Sequence, residues 1–529
     1  MAVKYNGENK RPSLNREQTA SVGRGKKPET GIKRGVSESG YGNQDRLGSR
    51  LAGGRGDSRA TGKRYDYEYR RNNDGKAIPN RTEKTERYKR VTDTKKTADG
   101  ITGAKRPAKT GGSADIVVVG GGASGLAAAI SAARCGASVI ILESGARVGK
   151  KLITTGNGRC NITNMGELSG RYHGDEGFAK RVFSRVGRDE CIEFFESIGI
   201  PVCAPEDERA YPMSLQAGSV VDALRFAAQR EGAEISAEQQ VVSVKKDDYG
   251  GFKVCCESGS IYNCKRVIIC TGGMAAPKTG SNGNGYALLE EFGHTKTPVF
   301  PAIVQLTTEI PPIKALKGIK LDCTVSAMTS KGPRAEFGEL LFTEYGISGP
   351  PVLQLGRFAS DFKDGAVHID LLPEISYKEL ESILVSRRDS IGELPITSVF
   401  MGILHSRLGE TVARGVLSDP ARRFIKELGA DEITSLVKQV KDFSLKVTGT
   451  LSWNNAQVTA GGIDTSEFDG DTMQSRIVPG VYAAGEILNV DGDCGGFNLQ
   501  WAWSSGLLAG KSAAGNPVSD KTARTNRQL

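Results

Sequence analysis

The stretch DIVVVGGGASGLAAAISAARCGASVIILES, residues 115–144, limits what this chain can fold into more than any other. Residues 115–119 are a short β-branched run of the kind that forms a strand buried in a parallel sheet. Gly120-Gly121-Gly122-Ala123-Ser124-Gly125 follows and fits the spacing G-x-G-x-x-G. Small residues continue through Ala133, which suits a helix packed closely on a sheet. Gly136 closes that helix, and ASVIILE forms a second strand ending at Glu143. Gly120 allows the tight turn, Gly122 lets a pyrophosphate approach the backbone, and Gly125 lets the helix lie against the strand. The helix then begins at Ala123 and Ser124 with its N-terminus facing the phosphates. Glu143, with Ser144 beside it, is positioned to accept hydrogen bonds from an adenosine ribose. The unit predicts a grip for an ADP-containing dinucleotide. An acid after the second strand suits a bare ribose, which admits FAD or NAD and disfavours NADP at this site.

The chain beyond the grip argues for more than a simple dehydrogenase. Residues 147–164, RVGKKLITTGNGRCNITN, make a loop rich in Gly, Asn and Thr where an NAD dehydrogenase would usually start another helix. Such a loop can lay backbone N–H groups along an extended cofactor. Two strand–glycine junctions lie far downstream. RVIICTGGMAAPKTGSNGNG (266–285) runs a strand into Thr271-Gly272-Gly273. GVYAAGEILNVDGDCGGFNLQWAWSSGLLAG (480–510) runs a strand into Gly485-Glu486, then a glycine pair that opens a helix. Together these predict one α/β fold interrupted by insertions: a Rossmann-like FAD-binding domain of the two-dinucleotide-binding flavoprotein type. GSNGNG lacks the helix and acid of a second grip, so no separate NAD(P)H domain is expected.

Charge is spread unevenly. Residues 1–112 hold 28 Lys and Arg against 13 Asp and Glu, whereas residues 113–529 hold 43 against 48. The basic segment is rich in Gly, Asn, Ser and Thr with almost no apolar run, which predicts a disordered tail. Such a tail can attract nucleic acid, although no RNA-binding motif accompanies it, and a solvated arm is the plainer reading. The ten cysteines show no CxxC and no paired Cys/His spacing, so no metal site is expected. Reduced thiols, no apolar leader and no run of about 18 apolar residues suggest a cytoplasmic protein with no membrane span.

Three longer motifs carry a family resemblance. GNGRCNITN, GELLFTEYGISGP (338–350) and VTAGGIDTSEFDGDTMQSRIVPGVYAAGEILNVDGDCGGFNLQWAWSSG (458–506) resemble signatures of the YhiN/BaiN-like bacterial flavoproteins. That family is also labelled NAD(P)/FAD-dependent oxidoreductase or aminoacetone oxidase. The likeness covers about residues 114–512. It implies non-covalent FAD and an insert between two halves of the FAD fold. By this resemblance Asn157, Gly158, Arg159, Cys160 and Asn161 would lie near the flavin, and Val241 and Val242 beside adenine. Gly485 and Glu486 would lie at the phosphate and ribityl region, with Gly495, Gly496, Asn498 and Leu499 bringing a helix N-terminus to the isoalloxazine. A reduced flavin carries negative charge near N1 and O2, which such a helix end stabilises. The chain departs from the family at Glu344, where His is expected in F-T-H-x-G.

The expected organisation is a basic tail at 1–112, FAD-binding parts at 113–303 and 449–515, and a C-terminal tail at 516–529. Between the FAD-binding parts come a β-rich insert at 304–375 and a helical subdomain at 376–448. Candidates for chemistry beyond the flavin are Cys160 and Cys494, whose alternative is buried packing, and Tyr211, which could donate a proton or hold a structural hydrogen bond. Arg159 suits cofactor phosphates, an anionic substrate or an internal ion pair. Trp501, Trp503, His294 and His405 read more simply as structural. The leading expectation is an FAD-dependent oxidoreductase moving a hydride to or from a small or medium hydrophobic substrate in a pocket beside the insert. Within the family, NADH- or NADPH-driven reduction of a steroid-like enone and amine oxidation with O₂ both fit. An FAD-dependent RNA-modifying enzyme and a flavin redox sensor are the readings from other classes.

Overall fold

The computed structural model describes residues 109–206 and 208–515. Residues 1–108 of the basic tail, and with them any nucleic-acid contact it makes, lie outside the described residues, as does the C-terminal tail at 516–529.

The β-branched run forms β1 (Lys109–Val119), with Ile116, Val117 and Val118 fully buried. Helix α1 (Ala123–Arg134) and β2 (Val139–Leu142) follow, and β2 pairs parallel with β1. The strand Ser260–Ile269 lies parallel on the other side of β1, Glu234–Ser236 lies parallel beyond β2, and Val481–Ala483 returns parallel beside residues 267–269. Parallel neighbours so distant in sequence require crossovers, which is why the second FAD-binding segment can close the sheet. The alternating stretch after residue 240 forms an antiparallel ladder of Val241–Lys246, Phe252–Cys256 and Ser260–Ile269.

The C-terminal helix, Phe497–Ala513, packs along α1. Gly506 and Gly510 permit this, because a Cβ on either would fall on the carbonyl oxygens of Ser124 and Ala128. Ser131 Oγ donates to Leu507 O at 2.9 Å across the same seam. Both helices bury small and apolar side chains in one core with the sheet.

Strands Phe300–Ala302 and Val458–Ala460 pair antiparallel where the chain leaves this fold and re-enters it. Between them six antiparallel strands close a barrel in the order Leu306–Thr308, Gly346–Ser348, Gly332–Phe342, Lys320–Thr329, Ala366–Asp370 and Phe443–Thr450. The helices Tyr377–Ser390, Ser406–Val416 and Ala430–Lys441 lie between the last two strands in sequence. They share a core with the barrel: Leu384, Val412 and Val437 pack in one cluster with Val325, Phe342 and Ile369. The strand Phe443–Thr450 thus falls partly inside the stretch read as helical, because the helices are an excursion from the barrel rather than its sequel.

Arg357 ties the barrel to the FAD-binding fold. Its Nε and a terminal nitrogen donate to the two carboxylate oxygens of Asp491 at 2.6 and 2.9 Å, with the Asp491 side chain only 1% exposed. His294 is a second buried polar centre. Its ring lies between Glu467 and Ser475, 2.9 Å from each, and stacks on Phe468. Burial holds its pKa below the ordinary 6.5, with Glu467 opposing. A ring kept neutral in the fold lends stability above that value and loses it as the pH falls through the folded pKa. His368 acts in the opposite sense: Asp364 and Asp442 raise its pKa, so its contribution is lost as pH rises. The stability gap between wild type and His294→Asn is expected to narrow from about pH 7 to 5, and that for His368→Asn to widen, in urea titrations.

Candidate functional site

A cleft of about 650 Å³ opens at the C-terminal ends of β1 and β2, bounded on another side by the barrel. Gly120, Gly121, Gly122, Ala123 and Ser124 line one end. Gly120 has φ +104, and a Cβ there would sit 2.5 Å from Cys270 O. Gly122 differs, since a Cβ on it would meet nothing within 4 Å and would project into open space. The N-cap of α1 supplies no side-chain acceptor, which leaves helix-end N–H groups for an anion. Glu143 Oε2 accepts from Gly121 N at 2.9 Å and Oε1 from Gly145 N at 2.6 Å, so the acid also braces the glycine turn. Ser144, Thr271, Gly272 and Val241 complete this end.

The two signature loops are joined at the other end. Asn164 Nδ2 donates to Gly495 O at 2.9 Å, Thr163 Oγ1 to Gln500 Oε1 at 2.6 Å, and Trp503 Nε1 to Ile162 O at 3.0 Å. Gly495 and Gly496 both have positive φ, and a Cβ on Gly496 would lie 2.8 Å from Asn161 Oδ1. Asn157, Arg159, Asn161, Glu486, Gly495, Gly496, Asn498 and Leu499 all face the cleft. Lys151 spans it to Glu486 at 2.7 Å, and Glu486 also accepts from Thr459 N.

Two buried oxygens on this lining, Asn161 Oδ1 and Thr271 Oγ1, have no hydrogen-bond partner among the described residues. An orphaned buried oxygen costs about 1–3 kcal/mol. FAD carries hydroxyl and ring N–H donors of the kind both lack. With the open face at Gly122 and the free helix ends, the residues present fit a dinucleotide.

Five residues expected to touch the cofactor do not line the cleft. Gly125, Cys160 and Gly485 are buried behind its wall. Gly125 lies under the Gly120 carbonyl, and Gly485 N donates to Ser505 Oγ. Gly158 faces solvent, and Val242 is 51% exposed as the unpaired residue of an irregularity in the ladder between Val241 and Ser243. Burial pushes the Cys160 thiol up to about 12. Cys494 does line the cleft, but burial raises its pKa as well, with Arg209 opposing. Tyr211 reaches the cleft with its ring under the Arg159 guanidinium, 4.8 Å from centroid to carbon. Glu344 is exposed on a barrel turn, ion-paired with Lys317 and outside the residues that line the cleft. The Trp501 indole donates to Gly485 O at 3.0 Å, a structural role.

The sequence reading missed Arg209, Asp493 and the barrel-side wall. Arg209 sits two residues before Tyr211, and Asp493 one before Cys494, but both were passed over for their more reactive neighbours. The wall consists of Ile303, Leu353 and Val458, which pack in one apolar cluster with Cys494. Among the described residues no group of three or more His, Cys, Asp or Glu is placed to hold a metal ion, and no helix is long and apolar enough to cross a membrane.

Comparison with known proteins bears on this geometry. Residues 114–512 match the family described as HI0933-like protein Rossmann domain. The chain is 38% identical over 411 residues to a 3-dehydro-bile acid delta(4,6)-reductase from Clostridium scindens, covering 76% of this chain and 99% of that protein. It is 30% identical over 408 residues to a ribosomal RNA dihydrouridine synthase from Escherichia coli, covering 75% and 99%. Among solved structures it is similar to a 3-ketosteroid delta1-dehydrogenase from Sterolibacterium denitrificans, at 14% identity and a TM-score of 0.43, covering 76% of this chain and 99% of that one. The chain belongs to the HI0933-like family of Rossmann-fold, FAD-dependent oxidoreductases.

Proposed function

We propose that this protein reduces a carbon–carbon double bond conjugated to a carbonyl, on a small or medium hydrophobic molecule held between the FAD-binding fold and the barrel. The observation that carries the reading is the apolar wall of Ile303, Leu353 and Val458, continuous with Cys494 beside the glycine pair that opens the C-terminal helix. The similar proteins support it chemically. A delta(4,6)-reductase of a 3-dehydro steroid acid and a dihydrouridine synthase both, by name, saturate a bond conjugated to a carbonyl.

Gly122, Ala123 and Ser124 would hold the pyrophosphate, Glu143 the ribose, and Val241 the adenine side. Asn161, Thr271, Glu486, Gly495, Gly496, Asn498 and Leu499 would hold the ribityl chain and flavin. When bound and reduced by NADH or NADPH, FAD would supply the hydride. Tyr211, which lines the cleft, would give up the proton, its hydroxyl having no hydrogen-bond partner among the described residues. The barrel wall keeps water from the double bond, and NADH or NADPH, as reductant, would reach the flavin from the side under the barrel.

The test is anaerobic mixing of the yellow holoenzyme with NADH or NADPH, followed at about 450 nm, then addition of a 3-oxo-Δ4 steroid. Bleaching and its reversal by the enone are expected. A flavin that only amines or alcohols reduce and only O₂ reoxidises overturns the reading in favour of an oxidase; one that no substrate turns over favours a sensor. Tyr211→Phe should slow reoxidation by the enone about a hundredfold with FAD content unchanged.

The dihydrouridine synthase likeness favours a second reading, in which the conjugated bond belongs to a uridine in RNA. The acidic balance of residues 113–529, with 43 basic against 48 acidic side chains, opposes a nucleic-acid surface on the catalytic body. Reoxidation by an rRNA transcript but not by the steroid would select it.

A further inference from the structure

Charge in the cleft is unbalanced at the end near Gly495. Three carboxylates line the cleft, and each is already engaged by the protein. Glu143 holds two backbone N–H groups, Glu486 pairs with Lys151, and Asp493 contacts His173 at 2.8 Å and Arg171 at 3.5 Å. Of the cations, Lys150 donates to Lys278 O at 2.6 Å. Arg159 lies on the Tyr211 ring with only a 3.4 Å contact to Gly156 O. Arg209 has Nε 3.9 Å from the place a Cβ on Gly495 would take. Among the described residues no carboxylate pairs with either arginine.

The two come from different elements. Arg209 begins the strand Arg209–Pro212, which pairs with Thr163–Asn164 and Val202–Glu206 and takes no part in the β1–α1 grip. Arg159 belongs to the signature loop. Arg159 stacks on Tyr211, and Arg209 lies beside Gly495 and close enough to Cys494 to act on its thiol, Cys494 being packed with the apolar wall. A guanidinium presents its donors in a planar fork that matches a carboxylate, and partial exclusion of water strengthens the pairing.

Building on the reductase reading, we propose that Arg209 and Arg159 form an anion subsite and that the substrate is an amphipathic carboxylate, its apolar body on Ile303, Leu353 and Val458. The arginines would orient the conjugated bond towards Tyr211 by anchoring the far end of the molecule. Phosphates of the cofactor are the competing occupant, and retained FAD in the variants separates the two.

The experiment uses oxidised, FAD-loaded full-length protein. The probes are a 3-oxo-Δ4 steroid with a side-chain carboxylate and its methyl ester, with binding read from the flavin absorbance change. The acid is expected to bind roughly tenfold or more tighter than the ester, the worth of one charge-assisted contact. Arg209→Gln should bring the two within about twofold at unchanged FAD content, with Arg209→Lys recovering part of the preference. Arg159→Gln provides a second variant outside any strand. Equal binding of acid and ester to wild type overturns the subsite. So does a preference that survives both glutamine variants, loss of FAD from Arg209→Gln, or failure of both probes to bind. Tight, arginine-dependent binding of an acid that never reoxidises the reduced flavin would sink the reductase reading and leave the subsite standing. Equal turnover of acid and ester would do the reverse.

Discussion

Gly125→Val is expected to yield a colourless protein whose apo form is itself destabilised by several kcal/mol. A Cβ at Gly125 falls on the carbonyl oxygen of Gly120, well inside van der Waals contact, and 3.3 Å from Cys270 Cβ. Gly120 cannot yield, because it is itself seated against the Cys270 backbone. The helix would have to lift from β1, carrying the anion-facing N–H groups with it, and overpacking of this kind costs about 1–3 kcal/mol or more. Gly122→Val provides the contrast. Gly122 has φ −81, which any residue adopts, and open space before it. That variant should unfold within about 0.5 kcal/mol of the wild-type apoprotein, as surface changes do, yet lose FAD because the side chain occupies the pyrophosphate's approach. The ratio of absorbance at about 450 nm to that of the protein, with urea titration of the apo forms, measures both. FAD retained by both variants would exclude this turn as the phosphate grip.

Arg357→Met should cost about 3–5 kcal/mol in unfolding free energy, the effect of stranding a buried charge. The guanidinium holds both oxygens of an Asp491 carboxylate that is nearly inaccessible and that, among the described residues, pairs with no other cation. It also lies over Phe300 and Phe358, 5.4 and 5.7 Å from their centroids, so the aromatic faces of the joint lose a cation with it. The double variant Arg357→Met, Asp491→Leu removes both charges and should regain most of the loss, as buried pairs replaced by apolar residues often do. Urea titrations of the two singles and the double make the cycle. A double variant as unstable as Arg357→Met alone would mean that the joint depends on shape rather than charge. Because Arg357 follows the helix that carries Leu353, loosening it should also weaken substrate binding more than FAD binding.

The two predictions fall on either side of what local sequence reveals. The glycine turn, Glu143 and the glycine pair opening the C-terminal helix were readable because each depends on backbone conformations set by near neighbours. Charge composition likewise separated the basic segment from the body by counting alone. A break in strand register was the first thing the sequence could not reveal. Val241 and Val242 are adjacent and chemically identical, and the irregularity between Val241 and Ser243 leaves Val242 unpaired and exposed while Val241 lines the cleft. The closed barrel was missed for a related reason. Its last strand lies beyond three helices, and strand pairing leaves no mark in the intervening sequence.

By itself, then, the sequence determined the glycine turn after the first strand, the family and most of the segments that line the cleft, since these follow from φ angles, small residues and helix ends written locally. The tertiary structure alone decided which polar groups remain uncommitted. Asn164 meets Gly495 across 331 residues, and Asp491 is claimed by Arg357. With Glu143, Glu486 and Asp493 engaged as well, Arg159 and Arg209 remain, among the described residues, as cations facing the cleft without a carboxylate. Whether a charge is satisfied depends on every group within reach in three dimensions, and that property has no local signature.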